Sequence, residues 1–367
     1  MRAGRHIALS SKWGVALTAL ALQFSLFAFF FSPISLRAQM VSLSLNSGCM
    51  MPNDVRYSRF STVSFGGAVS VAWKPAGNTY WQHYWRWPAF GVRGSYAHIV
   101  GSPAGDRIGL NGFVSAPLWK RMEWILGLGV SAYTKPYSLT GDTNNVFIGS
   151  VLNCLIDVGV AYRLDSHLSL ALHLLHSSNG MLERPNQGLN FVQLDFSCAL
   201  PSHATLQQTD DTLPVPHFSH CEEWGLSLAP GLVMSRDPRR QGYFGCYDVG
   251  IHYQRYVKPL VAFGGTLDLW YNSADRWELL LHDNPYRLPL YLSAMASMEL
   301  FCGPLSLRLG AGTLVLGSSQ ISIPYYERVA LFYNVGCHYA GVSLHAHGGR
   351  VEFIEWTYGV RFRREDR

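Results

Sequence analysis

Apolar and polar residues alternate with period two along most of the chain after Gln39. In the segment Met122 to Tyr133 the even positions are Met122, Trp124, Leu126, Leu128 and Val130, set against Glu123, Ile125, Gly127, Gly129 and Ser131. Successive side chains of a strand point to opposite faces, so this spacing predicts a strand with one bulky apolar face and one small or polar face. The split recurs from Ile148 to Tyr162, and again where Val261, Phe263, Leu267 and Leu269 oppose Gly264, Thr266 and Asp268. It closes the chain over Ile354 to Phe362, with Ile354, Trp356, Tyr358, Val360 and Phe362 against Glu355, Thr357, Gly359 and Arg361.

Such segments, about ten residues long and separated by turn residues, predict an all-β fold, a transmembrane antiparallel β-barrel. The apolar face meets lipid and the Gly-rich polar face lines the interior. A soluble β-sandwich alternates over strands of similar length. The continuity of the pattern, an export segment and a final amphipathic strand ending near Phe362 favour the barrel. Counting the segments gives about fourteen strands, within bounds of about twelve and about sixteen. They are read as one barrel over residues 39–367, with long loops near 201–222 and 271–289. The first loop carries Thr205, Gln207, Gln208, Thr209, Asp210 and Asp211, the second Asn272, Asp275 and Asp283.

Residues 1–38 read as a signal peptide: Arg2, Arg5 and Lys12 precede the apolar run Val15 to Phe31, and Leu36-Arg37-Ala38 ends in a small residue. Without that segment's four basic residues the formal charge falls from +5 to +1. No basic cluster is left to attract nucleic acid. No second run suits a membrane helix. The 7 cysteines show no C-x-x-C spacing, which argues against structural zinc.

One stretch, Leu172 to Phe191, places a histidine, two serines and an asparagine beside a leucine-rich strand. Parity sorts them. Leu168, Leu170, Leu172, Leu174, His176 and Ser178 share the lipid-facing column, and on the next strand Asn190 joins Val192, Leu194 and Phe196 on theirs. Gly180, Pro185, Asn186 and Gly188 mark a loop that makes the two strands antiparallel neighbours. Polar groups facing lipid are costly without a purpose. Ester hydrolysis supplies one: Ser178 as nucleophile, His176 as its general base and Asn190 as the group that orients the imidazole. Ser177 points the other way. Asn179 and Gly180 are the candidate oxyanion donors, and Arg184 in the adjoining loop is a candidate for lipid phosphate. The bland alternative is a strand end with polar turn residues.

His176-Ser177-Ser178-Asn179-Gly180, followed by Pro185-Asn186-Gln187-Gly188-Leu189-Asn190, resembles the signature of the lipid A 3-O-deacylase family of outer-membrane barrels. The run Ala132 to Tyr137, Asn144-Asn145 and the segment Gly341 to Phe362 resemble larger members of that superfamily. The resemblance implies a serine esterase acting on lipid A in the outer leaflet, with His176 and Ser178 in the triad and Asn179 beside the oxyanion. It implies no cofactor. Asn190 departs from the family, which carries an acid there; an asparagine at this spacing is the pattern of the outer-membrane phospholipase A family. That alternative implies a phospholipid substrate, calcium and dimerisation. A barrel without catalysis, a channel or structural protein, is the third reading. The sequence leaves the oligomeric state open. His345 and His347 share luminal parity without a third metal ligand in view, so no metal is assigned. Trp81, Trp85 and Trp87 read as interface or loop aromatics.

Overall fold

Strands form where the alternation is sustained, and each has one apolar and one polar face to satisfy. A computed structural model describes residues 36–51, 55–75, 79–138, 143–180, 183–200, 221–234, 243–276, 289–317, 324–347 and 350–365. The first eight strands are β1 (Leu36–Met51), β2 (Thr62–Pro75), β3 (Ala89–Ile99), β4 (Arg107–Trp119), β5 (Met122–Tyr133), β6 (Leu152–Arg163), β7 (Leu168–Ser178) and β8 (Leu189–Ala199). The next eight are β9 (Cys221–Met234), β10 (Tyr243–Lys258), β11 (Val261–Asn272), β12 (Leu290–Cys302), β13 (Leu305–Leu316), β14 (Tyr325–Val335), β15 (His338–His347) and β16 (Arg350–Glu365). A short helix, α1 (Tyr80–Tyr84), lies between β2 and β3.

The described residues form sixteen strands, the upper bound of the expected range, but the expected single barrel is corrected. There are two closed antiparallel barrels, β1 to β8 and β9 to β16. Closure is made by β1 on β8, in register from Ser42↔Ala199 to Met51↔Asn190, and by β9 on β16. Parity looks the same whichever strand closes the sheet, so the alternation carried no information on this point. The stretch read as a loop within one barrel therefore joins two; β9 already begins at Cys221, and residues 201–220 lie outside those described. In the second expected loop β11 continues to Asn272 and β12 starts at Leu290, with residues 277–288 outside the described set. Of the expected signal peptide, residues 1–35 lie outside it too, and the last three residues open β1.

The expected strand from Ile148 begins only at Leu152. Asn145 Oδ1 accepts the backbone N–H groups of Phe147 (3.0 Å) and Ile148 (3.1 Å), which takes both out of strand geometry. The two side chains pack with Tyr57, Phe60, Leu189 and Phe191 in an apolar cluster at the mouth of the first barrel.

Outward faces are apolar and exposed, as at Leu43, Leu45, Leu172, Leu174, Leu226, Leu228, Ile251 and Leu267. A wall of this kind is built for lipid. The lumens hold paired charges instead. In the first barrel Arg93 pairs with Asp195, His173 Nδ1 lies 2.7 Å from Asp157 Oδ1, and Arg107 donates to Gln193 at 2.8 Å. In the second, Arg308 and Arg361 meet Glu299 at 2.8 and 2.7 Å, and Arg328 pairs with Asp248 and Asp268. Buried charges persist when paired, and an eight-stranded barrel is narrow, although a cavity lined by Ser44, Arg93, Asp157 and His173 remains in the first. Reconstituted in planar bilayers, the protein is expected to lack porin-scale conductance; large steady steps would contradict barrels this narrow.

Candidate active site

The β7–β8 hairpin brings two of the predicted residues, His176 and Asn190, into contact. His176 and Asn190 are direct cross-strand partners, and His176 Nδ1 lies 2.7 Å from Asn190 Oδ1. An amide oxygen accepts, so Nδ1 carries the proton and the Nε2 lone pair is left for a second donor. Ser178 is two residues further along the same outer face, a rise of about 6.7 Å along a strand. Although it points outward, Ser178 is only 7 % exposed. Ser177 faces the lumen and accepts a hydrogen bond from Ser131 Oγ at 3.1 Å, so parity sorted the two serines correctly. Ser177→Ala is expected to leave turnover within about twofold, a surface-like effect for a group away from the reacting atoms; Asn190→Ala, which frees the imidazole, should lower kcat about a hundredfold. Both are read by initial rates on a lipid ester.

Two glycines shape the space. Gly188 has φ +71°, and a Cβ there would stand 2.9 Å from His176 Cε1. Any side chain would push the imidazole off its partner. Gly180 has φ +63°, which carries the chain out of the strand and aims its N–H at Ser178 Oγ, 3.3 Å away. That N–H is the backbone donor nearest the Ser178 hydroxyl.

Asn179 does not occupy the role expected of its side chain. Its Nδ2 donates to Ser150 Oγ at 3.0 Å and to Glu183 O at 2.8 Å, and its backbone N–H donates to Asn186 Oδ1 at 3.2 Å. With both amide protons committed, the side chain ties the loop together. Sequence reasoning therefore missed Ser150 and Asn186 as the loop's fastenings. The Pro185-Asn186-Gln187-Gly188 run was the available signal, since Asn186 also bridges to Ile148. Arg184 is half-buried in the same loop, its backbone packed on Gly149. His345 is buried in the second lumen and stacks on His347, ring centroids 5.2 Å apart. Among the described residues no group of three His, Cys, Asp or Glu is arranged to hold a metal ion.

Several solved structures align. The crystal structure of the outer membrane enzyme PagL aligns at 18% identity over 43% of this chain and 99% of its own, TM-score 0.32. A Rhodopseudomonas blastica porin variant aligns at 12% identity over 89% and 100%, TM-score 0.20. Pseudomonas aeruginosa OccK5 (OpdH) does so at 10% identity over 90% and 99%, TM-score 0.21. No curated protein matches. Family descriptions match each barrel separately: "Lipid A 3-O-deacylase (PagL)" over residues 66–199 and "Acyloxyacyl hydrolase, C-terminal domain" over residues 222–364. The first barrel thus matches the lipid A 3-O-deacylase (PagL) family and the second the acyloxyacyl hydrolase C-terminal domain, the two matches together spanning most of the sequence.

Proposed function

We propose that this protein is an outer-membrane serine esterase that removes an ester-linked acyl chain, the 3-O-linked one, from lipid A. The observation that carries the reading is the outward-facing His176 to Asn190 hydrogen bond of 2.7 Å with Ser178 on the same face. Ser178 Oγ attacks the ester carbonyl carbon as its proton passes to His176 Nε2. The tetrahedral oxyanion lies toward the Gly180 N–H. His176 returns the proton to the departing sugar alkoxide, leaving an acyl group on Ser178. Water, deprotonated by His176, then attacks the acyl carbon; the bond to Ser178 Oγ breaks, the fatty acid leaves, and His176 returns the proton to Oγ. Asn190 holds the imidazole in one tautomer throughout. No cofactor enters this scheme.

Placement fits the substrate. Tight turns at Lys120-Arg121, Pro259-Leu260, Gly303-Pro304 and Gly336-Cys337 share one end, and the Ser178 hairpin lies at the other. Outer-membrane barrels keep short turns in the periplasm and longer loops outside, which supports a position for Ser178 at the level of the outer leaflet. Lipid reaches it laterally, and Arg184 is the residue nearest in sequence to meet a lipid phosphate. The amide of Asn190 in the acid's place favours one second reading, a phospholipase. Purified protein offered lipid A and phosphatidylethanolamine in separate detergent micelles decides between them. Release of hydroxy fatty acid from lipid A alone is the expected result; release from the phospholipid alone, with or without calcium, overturns it.

A further inference from the structure

The second barrel contributes no member of the triad, yet it touches the triad's loop. Ile354 lies on the outer column of β16, and exposure along that column falls from 59 % at Phe362 and 50 % at Tyr358 to 5 % at Ile354. The turn after β7 covers it. A Cβ on Gly180 would stand 2.5 Å from Ile354 Cδ1 and 2.8 Å from its Cγ1, closer than such atoms approach. Gly180 is thus packed backbone-first on Ile354, and the same Cβ would stand 4.0 Å from Val351 Cγ1. The same turn presents its N–H to Ser178 Oγ at 3.3 Å.

The barrels are also fastened at the opposite end. Trp85 Nε1, just after α1, donates to Phe301 O at 2.7 Å, and the Trp81 ring lies against Gly303 in the β12–β13 turn. The barrels are thus joined at both ends, through Ile354 of β16 under the Gly180 turn and through β12 and its turn against Trp85 and Trp81. Ile354 is β-branched and stiff at χ1, which suits a buttress. A displacement of about 1 Å in a catalytic donor costs about a hundredfold in rate.

We propose that Ile354, from the second barrel, is a positioning residue for the reaction of the first. It holds the Gly180 turn so that the backbone N–H stays aimed at the reacting oxygen. This rests on the esterase reading of Ser178 and His176. The second barrel is then part of the catalytic unit.

The test uses the full-length protein, lipid A in detergent micelles, and heat-modifiable gel mobility to confirm folding. Ile354→Ala is expected to lower kcat about tenfold or more with KM within about twofold. Gly180→Ala should lose most activity, because its methyl meets Ile354 Cδ1. Ile354→Val removes only that carbon and alone should keep most activity; Ile354→Ala added to Gly180→Ala removes both atoms in the methyl's way, so the double variant should be no less active than Gly180→Ala alone. Such non-additivity cannot come from general weakening, and the mild Val substitution keeps the test open should Ile354→Ala not fold, since kcat reduced by Val in proportion to the lost contact is then the readout. Folded Ile354→Ala with wild-type kcat, a rise in KM alone, or losses that simply add in the double variant overturns the positioning role. Ser178→Ala run alongside separates the two claims. If it is inactive, only the role of Ile354 has failed; if it is fully active, the esterase reading itself falls.

Discussion

Ser178→Ala is expected to reduce turnover of a lipid ester by a factor on the order of 10⁴ or more, with the barrels intact. The serine supplies the only bond the protein makes to the substrate in this scheme, and its acceptor is already prepared. His176 Nδ1 is bound to Asn190 Oδ1 at 2.7 Å, so Nε2 is the free base. His176→Ala should cost about as much, since neither group works without the other. The double variant should be no worse than either single one, because residues acting as a unit are not additive. Initial rates of the three variants check this. Additive losses would mean that serine and histidine act in separate steps, which contradicts the triad.

The second large effect is on stability. Glu299 is wholly buried in the second lumen, where it accepts hydrogen bonds from Ser306 Oγ (2.5 Å), Arg308 Nε (2.9 Å), Arg361 (2.7 Å) and Gln254 (3.0 Å). Glu299→Ala removes the partner of two buried guanidinium groups. Arg361 keeps Glu223 at 3.2 Å, whereas Arg308 has no other ion pair among the described residues. Breaking a buried pair from one side costs about 3–5 kcal/mol. Urea titration of protein in vesicles, followed by tryptophan fluorescence, should show a loss of that size. Glu299→Leu with both arginines replaced by Met should recover much of it, because the uncompensated charge is the main cost. A loss under about 1 kcal/mol for Glu299→Ala would mean that water, not protein, solvates these arginines.

Much of this was legible in the chain. Period two gave each strand its faces, and the parity of His176, Ser178 and Asn190 against Ser177 foretold which serine stands on the outer wall. Two things were not legible. Whether the strands close as one ring or two depends on pairing between residues as distant as Ser42 and Ala199, and alternation is blind to that. The task of Asn179 was also hidden. A residue beside a nucleophile invites a catalytic role, but its amide protons go to Ser150 and Glu183, partners that only the folded loop brings near. The tryptophans around α1 read as interface or loop aromatics. Trp85 and Trp81 in fact dock the first barrel on the second.

The most direct test of the central claim is mass spectrometry of lipid A from cells expressing the intact protein or Ser178→Ala, with both proteins shown to be folded in the outer membrane. The account predicts that the intact protein removes one hydroxyacyl mass from lipid A and that Ser178→Ala leaves lipid A whole. Unchanged lipid A with the intact protein, or the same loss from both, would contradict it.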